Sequence, residues 1–95
     1  MGNSVTTIGD LAFRNCENLK TMVIGNGLSK IGLNVFISCK SMSELYYYGT
    51  TQPQYGKYAF ENCPTSIIIF VPFNYENLGE TFMGYNFTIS NTLFS

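Results

Sequence analysis

Hydrophobic and polar positions recur along the chain with a period of about 23 residues. The stretch IGDLAFRNC occupies residues 8–16, IGLNVFISC begins 23 positions later at residue 31, and the looser YGKYAFENC spans residues 55–63. A run of alternating apolar residues follows each stretch. Alternation of this kind predicts a β-strand with one buried face, so each unit should contain one strand.

The expected strands lie near residues 20–25, 43–48 and 67–72. The alternation predicts that two side chains of each strand point into the core, namely Met22, Ile24, Leu45, Tyr47, Ile69 and Val71. The third strand should end at Pro72, because proline has no N–H to donate to a neighbouring strand.

The Ala-Phe-x-x-Cys part of each stretch predicts a short helical turn. Phe13 and Cys16 are three residues apart and would share one face of a helix. A strand and a turn repeated at this period are typical of a leucine-rich-repeat solenoid, whose units bury their apolar sides only when stacked. Stacking should place Cys16, Cys39 and Cys63 in a column with a spacing of about 4.8 Å.

The first stretch, extended to IGDLAFRNCENLKTMVI, resembles the BspA-type (Treponema pallidum-type) leucine-rich repeat, whose pattern is roughly I-G-x-x-A-F-x-x-C-x-x-L-x-x-I-x-I. The later copies depart from this pattern at Val35, Met42, Tyr47, Tyr55 and Ser66. The likeness covers residues 5–84, including the closing VPFNYENLGETFMG. The resemblance implies a right-handed solenoid with a parallel sheet on one side. It also implies a surface protein, often adhesive, of certain bacteria or parasitic protists.

The predicted fold class is therefore an α/β solenoid. It is a leucine-rich-repeat right-handed coil with a parallel β-sheet of three to four short strands and short helical turns on the opposite side. We expect a single domain over residues 1–95, with repeats at about 5–27, 28–50 and 51–73 and a C-terminal cap at 74–95.

The two ends of the coil differ in the sequence. In the C-terminal cap, YNFTIS alternates and predicts a fourth strand, and Phe82 is expected about where the phenylalanine of a next coil would lie. Residues 1–7 are too few to form a matching cap. The N-terminal end is therefore expected to stack on further repeats or on another copy of the protein.

The composition narrows the function classes. Hydrophobic residues make up 45% of the 95 residues and charged residues only 12%, well below the ~25% of an average domain. Part of the surface should therefore be covered by another chain or by flanking sequence. The net charge is −1 and the five basic residues are scattered, which argues against nucleic-acid binding. The longest apolar run, at residues 66–73, is far too short to cross a bilayer.

The side chains offer little catalytic chemistry. The chain has no histidine, which is the commonest acid–base group and zinc ligand. The repeat geometry brings no pair of carboxylates together, as a glycosidase would require. The cysteines are separated by 22 and 23 residues, whereas zinc sites use closely spaced pairs. We predict buried free thiols, no metal, no cofactor and no enzymatic activity.

The outward positions of the strands are unusually apolar. One row should contain Val23, Tyr46 and Phe70, and flanking rows contain Thr21, Glu44 and Ile68 on one side and Gly25, Tyr48 and Pro72 on the other. Exposed apolar patches of this kind usually mark a contact surface. The candidate binding residues are Val23, Glu44, Tyr46, Tyr48, Ile68 and Phe70. High strand propensity alone is the competing explanation for the same residues.

These observations favour a non-catalytic protein- or glycan-binding repeat module that forms part of a cell-surface adhesin or antigen. The alternative is a structural repeat domain that assembles into homo-oligomers through its apolar ends and patch. A hydrolase would need two acidic side chains within reach of each other. Cell-surface or secreted localisation follows from the resemblance, and a cytoplasmic location is the alternative.

Overall fold

The computed structural model describes residues 4–93. The strands in this part of the chain are all short. They are β1 (Thr7–Ile8), β2 (Thr21–Ile24), β3 (Lys30–Ile31), β4 (Glu44–Tyr47), β5 (Gln54–Tyr55), β6 (Ile68–Pro72) and β7 (Thr88–Leu93). The three strands expected from the alternation are confirmed as β2, β4 and β6, and Pro72 is the last residue of β6.

The strands form two parallel sheets because each coil contributes one strand to each sheet. The smaller sheet has the order β1-β3-β5, and the larger has the order β2-β4-β6-β7. The register pairs Met22 with Leu45 and Leu45 with Ile69, which are equivalent positions of successive repeats. The predicted solenoid is therefore confirmed. The expected fourth strand is β7, which pairs parallel with β6 but begins only at Thr88.

The core consists of columns of equivalent residues. All six side chains predicted to point inward from the strands are buried. The rings of Phe13, Phe36 and Phe60 stack one above the next, with centroid distances of 5.5 and 5.1 Å. Phe13 stacks on one ring of the column and is half-buried, whereas Phe36 stacks on two and is fully buried, so this burial depends on the stack.

The predicted helical turns are not found, because the described residues 4–93 contain no helix. The Ala-Phe-x-x-Cys segments are instead chains of four-residue turns. In the first coil, Leu11 and Asn15 have φ angles of 59° and 58°, and a left-handed residue interrupts a right-handed helix. The equivalent residues of the other coils, Asn34, Ser38, Tyr58 and Asn62, are also left-handed.

Hydrogen bonds between coils explain why these segments are not helical. The N–H groups of Leu11, Phe13 and Asn15 donate to carbonyl oxygens of the second coil, each at 2.9 Å. The second coil donates to the third in the same way. An N–H that is bonded to the next coil is not available for the carbonyl four residues back. The turns therefore extend the cross-coil hydrogen bonding of the sheets to the opposite side of the stack.

The closing segment, residues 74–93, covers the end of the third coil with aromatic rings. Tyr85 and Phe87 meet the Phe60 ring edge-on at 5.6 and 5.0 Å. The prediction that Phe82 would continue the phenylalanine column is wrong. Phe82 is fully buried, but its ring packs against Tyr47 at 5.6 Å. A tight turn that pairs Phe82 with Tyr85 brings Tyr85 and Phe87 onto the column instead.

The glycines that follow Ile31 and Tyr55 are needed because the coils approach one another most closely at these positions. A Cβ on Gly56 would lie 2.8 Å from the backbone of Gly32 and Leu33, and one on Gly32 would lie 2.7 Å from the backbone nitrogen of Asp10. Real Cβ atoms do not approach backbone this closely, so a side chain would push the coils apart. A Cβ on Gly9, the equivalent residue of the first coil, would have no atom within 4 Å among residues 4–93 other than those of its chain neighbours.

Replacing Gly56 with alanine should therefore destabilise the protein, by about 2 kcal/mol or more, because the coils must separate to admit the methyl group. Gly9→Ala is the matched control and should change the free energy of unfolding by no more than about 0.5 kcal/mol. Urea unfolding followed by circular dichroism measures both. Equal effects of the two substitutions would contradict the stacking explanation.

Candidate binding surface

The outward face of the larger sheet has two complete rows of side chains, which we call the strand face. The register places Val23, Tyr46, Phe70 and Ser90 in one row and Thr21, Glu44, Ile68 and Thr88 in the next. Alternation along each strand turns these residues away from the core, because their neighbours in sequence point inward.

An aromatic pair lies at the centre of the strand face. The rings of Tyr46 and Phe70 stack with their centroids 4.7 Å apart and their planes 12° from parallel. The Tyr46 hydroxyl donates a hydrogen bond of 3.2 Å to the Glu44 carboxylate. Partial desolvation and this bond to an acidic group raise the pKa of Tyr46. The pair therefore forms a fixed apolar platform with a hydrogen-bonding group at its edge.

The predicted site residues differ in exposure. Val23 and Ile68 are exposed, while Glu44, Tyr46 and Phe70 are half-buried by their neighbours. These five residues lie together on the strand face. The sixth, Tyr48, follows the end of β4 and is half-buried, with its N–H donating to the Ile24 carbonyl. Gly25 and Pro72, which flank Tyr48 in the same row, are both buried, so this row forms no continuous exposed surface.

The sequence did not predict a cleft that lies between the third coil and the closing segment. Tyr55, Tyr58 and Tyr85 line this cleft together with Lys57 and Glu61. The available signal was the replacement of the repeat's isoleucine by Tyr55. The participation of Tyr85 had no signal, because it depends on the path of the closing segment.

Parallel coils with a glycine and a cysteine at equivalent positions are features of a repeat protein. A family model described as BspA type leucine rich repeat region (6 copies) matches residues 1–95. The chain belongs to this family. No curated protein and no solved structure matches the chain.

Membership gives the protein its general character. Repeats of the BspA type are generally binding modules, typically without catalytic activity, and they generally occur on secreted or surface proteins. Within residues 4–93, no helix has the length and apolar character that crossing a membrane requires.

The cysteine column of this BspA-type domain is a packing and hydrogen-bonding feature. The Cys39 thiol donates to the Phe13 carbonyl at 3.0 Å, and the Cys63 thiol donates to the Phe36 carbonyl at 2.9 Å. All three cysteines are free thiols. Among the described residues, no group of three cysteine, aspartate or glutamate side chains is placed to hold a metal ion. The second and third coils thus each use a cysteine to bond to the coil before.

The thiol of Cys39 should make stability depend on pH in the alkaline range. Burial raises its pKa from 9.0 to about 11. Between these values the unfolded chain loses the proton while the folded protein retains it, so the free energy of unfolding should fall as the pH rises. Below pH 9 this group should have no effect. Urea unfolding between neutral pH and about pH 10 tests this window.

The control is Cys39→Ala, which removes the titrating group. Its stability should be lower than wild type at neutral pH but should decline less steeply on the alkaline side. An unchanged slope would show that other groups cause the pH dependence.

Proposed function

We propose that this BspA-type domain is a non-catalytic module that binds a protein or a glycan through the strand face, as part of a cell-surface adhesin or antigen. The observation that carries the proposal is the stacked pair of Tyr46 and Phe70 on an otherwise solvent-facing sheet. Outward positions of a one-sided sheet are ordinarily polar.

The composition of the strand face fits recognition. Aromatic residues are enriched among the residues that dominate binding energy, and they lose little conformational entropy when a partner covers them. Glu44 adds a charge at the edge of the aromatic pair and orients the Tyr46 hydroxyl. Val23 and Ile68 extend the apolar area on adjacent strands.

A protein is the better fit of the two partner classes. The residues of the strand face line none of the three clefts, which lie near β1 and β5 and in the closing segment. Small ligands are usually bound in concave sites, whereas an apolar centre with a polar edge is typical of protein interfaces.

The test is a double substitution, Tyr46→Ser with Phe70→Ser. We expect it to weaken binding to a protein partner by about tenfold or more, because two central aromatic contacts are lost. Biosensor measurements against a panel of purified extracellular-matrix and host-surface proteins identify the partner and give the affinities.

Leu33→Ser is the matched control, since Leu33 is also an exposed apolar residue but lies in a turn outside the strand face. It should bind like wild type, and circular dichroism should show all three proteins folded. Wild-type affinity in the double variant would contradict the proposal.

A second candidate function is self-assembly through the first coil. Phe13, Cys16 and Leu19 are only half-buried, whereas the equivalent Phe36, Cys39 and Met42 are fully buried. Within residues 4–93, β1 and β2 also have a neighbouring strand on one side only. A second copy placed against this surface would bury the apolar side chains that the coil stack leaves uncovered.

Gly9 provides a test of this candidate, because a side chain at this position would meet no other segment of residues 4–93. A bulky Gly9→Gln side chain should obstruct stacking on the first coil and raise a dimer dissociation constant by about tenfold or more, while the fold is retained. Sedimentation velocity over a range of concentrations measures this. A strict monomer at high concentration, or unchanged association of Gly9→Gln, would exclude the candidate.

A further inference from the structure

A cleft of about 440 Å³ lies between the third coil and the turn that begins the last strand. Its walls include Tyr55, Lys57, Tyr58 and Glu61 from the coil and Gly84 and Tyr85 from the turn. The volume is within the range of sites that hold small molecules. None of these residues belongs to the strand face, so the cleft is separate from the site proposed above.

In this cleft, an exposed aromatic residue occupies a position that is buried in the other two coils. The equivalents of Tyr55 are Ile8 and Ile31, which are 4% and 1% exposed, whereas Tyr55 is 45% exposed. Tyr58 is 59% exposed. A buried hydrophobic position has thus become an open ring beside a second open ring, which is the arrangement expected of a stacking surface for a ligand.

The turn of the closing segment provides the opposite wall and is held rigidly. Tyr85 stacks on Phe87 at 5.5 Å, and its main-chain N–H and carbonyl bond to Phe82 at 3.0 and 2.9 Å. Burial raises the pKa of the Tyr85 phenol. Gly84 has a φ of 84° and no side chain, so the backbone passes close to the Tyr55 ring.

The cleft also has polar groups suited to hydroxyls. The N–H groups of Leu11 and Asn34 bond to the next coil, but the equivalent N–H of Tyr58 finds no acceptor within residues 4–93. Lys57 supplies a cationic donor, and the Glu61 carboxylate supplies acceptors. Their charges offset one another, which favours a neutral ligand rather than an anion or a cation.

We propose that this cleft binds a neutral pyranose sugar. The apolar face of the ring lies against Tyr58, with Tyr55 beside it, while the hydroxyls accept from the Tyr58 N–H and Lys57 and donate to Glu61. A polyhydroxylated ring has both an apolar face and hydrogen-bonding edges, and the cleft combines surfaces complementary to each.

The other clefts do not match this chemistry. One of about 550 Å³ beside β1, β3 and β5 is lined mainly by small polar side chains such as Ser29, Thr51 and Gln52, and it has no aromatic ring. Another, next to Glu80 and Asn86, contains Phe87 as its only ring. The three tyrosines and the carboxylate of the cleft would attract a quaternary ammonium ion, but the positive charge of Lys57 would repel it.

The experiment is an amide NMR titration of the whole 95-residue chain with lactose, cellobiose and maltose, and separately with choline chloride. We expect at least one of the disaccharides to shift the Tyr58, Glu61 and Gly84 signals in a saturable way, and choline to shift none of them. Tyr58→Asn should weaken the affinity by about tenfold or more, because a stacking ring is lost. Asparagine suits the left-handed backbone and already occupies the equivalent position 34.

Leu11→Asn is the matched control. Leu11 occupies the same left-handed turn position in the first coil and does not line the cleft. It should bind sugar like wild type. Glu61→Gln, which preserves shape and removes the carboxylate, should also weaken binding and serves if Tyr58→Asn fails to fold. The Tyr46→Ser, Phe70→Ser protein should retain sugar binding even if it loses its protein partner.

Three outcomes would overturn the proposal. The first is the absence of a saturable shift with all three disaccharides. The second is binding of choline in place of sugar, which would make the cleft a cation site. The third is equal loss in Tyr58→Asn and Leu11→Asn, or loss in the strand-face variant, either of which would place the sugar elsewhere.

Discussion

The close approach of successive coils is the constraint on which the rest of the structure depends. Parallel strands on one side fix the coil spacing at about 4.8 Å, and the turns on the opposite side must match it. Gly32 and Gly56 allow the backbones to meet there, and the N–H groups of Leu11 and Phe13 bond directly to the next coil. The cysteine thiols add a third set of bonds between coils. The glycine contacts and the thiol bonds require the same residue type at the same place in successive coils, and the main-chain bonds require the same backbone spacing, which is why the sequence repeats.

Much of this could be predicted from the period. The three strands, their inward residues and the end of β6 at Pro72 followed from alternation, because a buried face is visible as a pattern in the sequence. The row of Val23, Tyr46 and Phe70 followed from the repeat length, which sets the register. Both predictions need only the knowledge of which residues are equivalent in successive coils, and the repeat shows this in the sequence.

The parts that failed depend on information the period does not contain. The spacing of Phe13 and Cys16 is compatible with a helix, but the N–H groups of Phe13 and Asn15 bond to another coil. Leu11 and Tyr58 also adopt left-handed angles that their side chains do not favour. The closing segment departs from the repeat, so spacing alone assigned Phe82 to the column that Tyr85 and Phe87 cover. Both errors arise where contacts with other segments override local preference.

The same reasoning limits where this BspA-type domain recognises other molecules. The residues of the interior columns, such as Phe36 and Cys39, are fully buried and cannot contact a partner. Free choice of residue exists only on outward positions and where the repeat ends. Tyr46 and Phe70 are at outward positions, and Tyr55 lies in β5, which within residues 4–93 has a neighbouring strand on one side only. Aromatic side chains at both places are costly to leave in water, and neither is required by the stack. Their presence is the observation that supports the two proposed binding sites.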